Sequence, residues 1–129
     1  MNANGYQVLA GLTECNQFEA KRRFSDSLMA VRLNHSVLGL AGEVGELAYA
    51  IEKWIQYGQP LDETNVKEEL GDILWYLALA CNALGVPMEE VMAANIAKLK
   101  KRFPERYTNQ RAEEANRDRE AEREAIEDA

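Results

Sequence analysis

Two acidic pairs of identical spacing mark this chain of 129 residues: Glu43 and Glu46 in "GEVGELAYAIEKW", and Glu69 and Asp72 in "EELGDILWY". On a helix, residues three apart fall within about 60° of each other. Both pairs lie beside an apolar stripe rather than opposite it, so both look toward a neighbouring helix. If the two helices pack antiparallel, as the short connection Gly58 to Leu61 favours, the four carboxylates converge. Four negative charges share a poorly solvated groove only when some protonate or a cation cancels their repulsion. A divalent cation does this most directly, and an all-oxygen donor set favours Mg²⁺ or Mn²⁺ over zinc. A lone Glu-x-x-Glu reads as a solvated surface pair. The repeat on the next helix is what turns the reading toward a site.

A third group of residues adds positive charge. Asn95, Lys98 and Arg102 stand at i, i+3 and i+7, beside the apolar positions Met88, Met92, Ile96, Leu99 and Phe103. Lys100 and Lys101, in "KLKKR", are accounted for by the negative end of the helix dipole. An acidic groove holding a hard cation, faced by Lys and Arg, suits a polyphosphate, whose oxygens need both kinds of neutralisation.

The elements that must carry these residues are helices. The chain is rich in Ala, Leu, Glu and Lys and holds three prolines, and its apolar residues recur with helical rather than strand spacing. A first helix is expected over about Tyr6 to Phe24, ending near "SDS". A second runs from about Arg32 to Tyr57, with Leu33, Val37, Leu40, Val44, Leu47, Ile51 and Ile55 on its core stripe, and "YGQP" stops it. A third spans about Asp62 to Leu84, with Val66, Leu70, Ile73, Leu74, Leu77, Cys81 and Leu84 facing the core and Gly85 as terminator. A fourth opens at Pro87, has Glu89 and Glu90 at its positive end, and stops before Pro104. Trp75 and Leu79 lie away from the third helix's core stripe, so that helix needs a second cover, for which another copy of the chain is the expected source.

Composition bounds the rest. The length suits one domain, and the net charge of −7 argues against nucleic acid or an anionic membrane as the main partner. The apolar run "ILWYLALAC" is short of the roughly 20 residues that span a bilayer. Cys15 and Cys81 have no CxxC spacing, and a soluble protein of the reducing cytoplasm is the default expectation. The single histidine, His35, excludes a di-iron site built from two Glu-x-x-His pairs. Beyond Tyr107 the composition changes to a tail with eight acids and four arginines and almost nothing to bury. Residues 108–129 are therefore expected to form a solvated helix or to be disordered, outside a domain of residues 1–107.

With these residues in view, the sequence resembles the MazG-like all-α nucleoside triphosphate pyrophosphohydrolases over about Leu33 to Tyr107. The likeness runs through "HSVLGLAGEVGELAYAIEKW", "VKEELGDILWYLALACNALGV" and "NIAKLKKRFPERY". The family pattern is Glu-x-x-Glu, a spacer, then Glu-x-x-Asp, followed by an Asn and a Lys. The resemblance implies a four-helix MazG-like bundle completed by homodimerisation, or assembled as a tetramer, with the charged tail as an extension. It implies that Glu43, Glu46, Glu69 and Asp72 bind Mg²⁺, with Mn²⁺ as a substitute, and form the catalytic set. The substrate would be a nucleoside triphosphate, attacked by water at the α-phosphorus to give monophosphate and pyrophosphate. Lys98 and Arg102 would contact phosphate oxygens, Asn95 and Tyr76 would line the nucleotide pocket, and His35 would lie near base or sugar. Packing is the simpler role for His35, Trp54 and Trp75. Two rivals stand beside this: a non-catalytic helical dimer that regulates or binds a partner, and a narrower enzyme for dUTP, dCTP or phosphoribosyl-ATP.

Overall fold

A computed structural model describes residues 3–129, and among them it contains α-helices and one 3₁₀ turn but no strand. The helices are α1 (Ala3–Thr13), α2 (Gln17–Ser25), α3 (Leu28–Ile55), α4 (Glu63–Leu84), α5 (Met88–Arg102), α6 (Asn109–Ala112) and α7 (Arg119–Glu127), with the 3₁₀ turn at Glu114–Asn116. This is the expected all-α class. The chain divides into two compact units, one ending at Ala83 and the other running from Leu84 to Ala129. No single helix among the described residues is long and apolar enough to cross a membrane.

In the first unit, the segment expected as one helix is two. The Asn16 side chain accepts from the N–H groups of Phe18 and Glu19 at 3.1 and 3.2 Å, which starts α2 afresh. The "SDS" stretch then ends one helix and begins the next, since Ser27 caps α3 by accepting from Ala30 N–H at 3.1 Å. Gly58 adopts φ +65° in the turn after α3, and Gly85 adopts φ +71° just past α4, conformations that cost glycine little. Asp62 opens α4, its carboxylate accepting from Asn65 N–H at 3.0 Å.

Helices α3 and α4 pack antiparallel: Arg32 and His35 share a hollow with Leu79 and Asn82, while Lys53 shares one with Asp62 and Asn65. Their common seam is spaced three and four residues apart on each side. On α3 it comprises Leu33, Ser36, Leu40, Glu43, Leu47 and Ala50, and on α4 Val66, Glu69, Ile73, Tyr76, Ala80 and Ala83, all buried or half-buried. This corrects the expected core stripes. Val37, Val44 and Ile55 of α3 are exposed, and so are Leu70, Leu74, Leu77 and Leu84 of α4. The cause is visible at Gly39. A Cβ there would sit inside the Tyr76 ring, so only glycine lets that ring lie against the backbone of α3. Seating Tyr76 fixes the rotation of α4 and carries Glu69, seven residues earlier on the same face, into the seam.

In the second unit, α5 starts after Pro87, carries Glu89 and Glu90 in its first turn and Lys100, Lys101 and Arg102 in its last, and ends at Phe103. The tail does not stay apart from it. Helix α7 packs along α5, with Glu122 and Ala125 buried. A tail short of apolar residues is buried here through charge: Arg102 donates to both Glu122 oxygens at 2.8 Å, and Arg117 donates to them at 3.2 and 2.7 Å.

Candidate metal centre

The seam brings three carboxylates together. Ligand oxygens of Glu43, Glu69 and Asp72 all lie within 4.8 Å of one another. Opposite ligands of an octahedral ion held at about 2.1 Å are about 4.2 Å apart, so small side-chain rotations would close the set on one hard cation. Exposed acidic clusters often need no ion, but burial sets this one apart. Glu69 is only 5% exposed, Glu43 is half-buried, and Asp72 is exposed at the groove mouth. Among the described residues, none of the ion pairs includes any of the three. A buried carboxylate without a cation is costly to maintain, and here its neighbours are like charges.

The electrostatics agree with the geometry. Burial raises the Glu43 carboxyl above the ordinary carboxylate range, and the charges of Asp72, Glu46 and Glu69, together with a hydrogen bond shared with Glu69, raise it further. Glu69 has one neutral partner, the Asn65 amide, which donates to its Oε1 at 2.6 Å.

Glu46 stands one turn beyond Glu43 and outside the tight cluster. It is exposed, and with Gly42, Gly45, Lys53, Asn65 and Glu69 it borders a hollow of about 390 Å³. A Cβ on Gly42 or Gly45 would meet nothing, so no packing contact requires glycine there; both leave open space beside the acids. Further along the same two helices, the Tyr76 ring meets His35 edge-on at 5.8 Å and Trp75 at 4.9 Å. His35 also lines a second hollow of about 310 Å³, with Arg32, Ser36, Leu79 and Asn82. Glu43, Glu69 and Tyr76 thus lie along the seam between α3 and α4, with His35 against the Tyr76 ring.

Residues 33–107 match the model of the MazG nucleotide pyrophosphohydrolase domain. The chain belongs to the MazG family. A relative, the gene 37 protein of Mycobacterium phage L5, is 32% identical over 113 residues, covering 79% of this chain and 89% of that protein. No solved structure matches. In this MazG domain the matched stretch contains all four acids of the two pairs, while α1, α2 and the tail from Thr108 fall outside it.

The residues expected to meet phosphate lie on α5 in the second unit. Asn95 is exposed, Lys98 is half-buried and forms no ion pair among the described residues, and Arg102 is engaged by Glu122. Two contributors escaped the reading of the sequence. Gly39 and Asn65 each sit four residues before an acid of the cluster, Glu43 and Glu69 respectively. That spacing was available, but only the contact of Gly39 with Tyr76 and the bond of Asn65 to Glu69 give it meaning.

Proposed function

We propose that this protein hydrolyses nucleoside triphosphates between the α- and β-phosphates, with Mg²⁺ or Mn²⁺ as cofactor. The observation that carries the proposal is the buried carboxylate of Glu69, which forms no ion pair among the described residues, in a three-carboxylate cluster inside a MazG domain. Glu43, Glu69 and Asp72 would hold the ion, with Glu46 at the rim completing the set. When bound, the ion neutralises triphosphate oxygens and makes water a better nucleophile near neutral pH.

The rest is work for the chain's own groups. Glu43, Glu46, Glu69 and Asp72 orient the attacking water, and a carboxylate among them accepts its proton. Water oxygen bonds to the α-phosphorus, the bond from that phosphorus to the bridging oxygen breaks, and pyrophosphate leaves with the electron pair. As the family resemblance implies, Lys98 and Arg102 would contact phosphate oxygens and Asn95 would line the nucleotide pocket. Tyr76 and His35 flank the nucleoside. Eight residues of helix separate His35 from Glu43, about 12 Å, which leaves room for a nucleoside with its phosphates at the acids.

The exposed apolar faces support a homo-oligomer, dimer or tetramer. Among the described residues of the first unit, the only fully buried hydrophobic ones are Ala50 and Cys81, which is too little for a self-sufficient core.

The test is pyrophosphate release from a panel including canonical ribo- and deoxynucleotides, dUTP, dCTP and phosphoribosyl-ATP, with Mg²⁺ or with chelator. Monophosphate and pyrophosphate are the expected products, only in the presence of metal. Glu69→Gln and Asp72→Asn should each lose more than the roughly 10- to 100-fold typical of an outer partner of a metal site. Release from no nucleotide would favour a non-catalytic helical module, and full activity in both variants would refute the site.

A further inference from the structure

The geometry points to Asn65 as the positioning residue of the metal centre, the group that orients Glu69 toward a bound cation. This rests on the reading of Glu43, Glu69 and Asp72 as the metal's ligands.

Asn65 is held at both ends. Its backbone N–H donates to the Asp62 carboxylate at 3.0 Å, the bond that caps α4, and its side-chain amide reaches one turn forward to Glu69 Oε1 at 2.6 Å. The start of the helix therefore fixes the donor, and the donor fixes the acid. An i, i+4 pair of this kind on an exposed helix face would be ordinary surface chemistry. Here the acceptor is the most buried acid of the cluster, where it stands among the like charges of Glu43 and Asp72.

The donor's chemistry suits the task. A lysine or arginine in its place would neutralise Glu69 and compete with a metal for it. A neutral amide binds one carboxylate oxygen and leaves the negative charge available on the other. Asn65 also borders the hollow that Glu46 and Glu69 share, so its amide stands beside the space a ligand would fill. Hydrogen bonds from outside the ligand set orient metal-binding groups in this way and tune affinity strongly.

The experiment is Mn²⁺ titration of the full chain without nucleotide, following the loss of the free-ion electron paramagnetic resonance signal. Asn65→Ala and Asn65→Leu should weaken Mn²⁺ binding by about 10- to 100-fold. Asn65→Gln, which retains an amide able to reach i+4, should recover most of the affinity. In a Glu69→Gln background, Asn65→Ala should add no further loss. Circular dichroism should show unchanged helix content throughout, since the cap uses only the backbone of Asn65.

Wild-type affinity in Asn65→Ala and Asn65→Leu would overturn the inference and leave the metal centre standing. An equal loss in the Glu69→Gln background would also overturn it, because Asn65 would then act through another group. Failure of the wild-type chain to bind Mn²⁺ at all would remove the centre and the inference together.

Discussion

At Glu43 protons would compete with the proposed divalent cation for the same oxygen lone pairs. Its carboxyl is raised in the fold by burial and by the neighbouring acids Asp72, Glu46 and Glu69. The protonated group therefore stabilises the metal-free fold; this contribution is complete below the unfolded carboxylate value of about 4.3 and is lost as pH rises through the folded value. Cation binding has the opposite pH dependence, since it requires the carboxylate. The rise in melting temperature on adding Mg²⁺ should accordingly grow as pH increases out of the carboxylate range. Glu43→Gln should raise the melting temperature in chelator and flatten that growth. An Mg²⁺ effect independent of pH and identical in Glu43→Gln would remove Glu43 from the ligand set. At this scale the acids were legible because their types and spacing already imply repulsion. Asn65 was not, because an asparagine near a helix start has the cap as a sufficient explanation until its side chain is seen on Glu69.

Helix α7 is held to α5 by a carboxylate between two guanidinium groups. Side-chain exposure is 5% for Glu122, 17% for Arg102 and 12% for Arg117, so solvent screens the pairs little. Removing one member of a buried ion pair costs about 3–5 kcal/mol, more than α7's small apolar contact through Ala125 can offset. Glu122→Gln should therefore release α7, read as fast hydrogen exchange and early proteolysis beyond Thr108 with protection of α3 unchanged. Arg102 and then Arg117 hold the Glu122 carboxyl far below the ordinary range. A depressed acid contributes stability that is present above its unfolded value and lost as pH falls through the folded one. Docking should thus persist below about pH 4, where an unpaired glutamate would already be protonated. The tail's charge was plain from its composition, whereas a pairing across twenty residues of sequence has no local signature.

Among the described residues the fully buried hydrophobic side chains are Ala50, Cys81 and Ala125, and many large apolar side chains are exposed. Leu70, Leu74 and Leu77 form such a face on α4, beside the seam with α3, and Trp75 is exposed further round the helix. Burying one such side chain gives about 1.5–3 kcal/mol, so Leu74→Lys with Trp75→Lys should weaken self-association by about a hundredfold or more. Sedimentation equilibrium should find the wild-type chain at a multiple of its own mass and the double variant shifted toward monomer. A wild-type monomer would refute self-association through this face.

Helical periodicity, caps and charge are local properties, so the all-α class, the course of the three long helices and the two acid pairs were legible in the chain. The sequence could not decide which apolar face of α4 meets α3. Spacing gives the angle between residues but not the rotation of one helix against another, and that rotation follows from the Tyr76 ring lying on Gly39. Only the tertiary structure, by setting it, moved Glu43 and Glu69 from the margin of an apolar stripe into the seam itself.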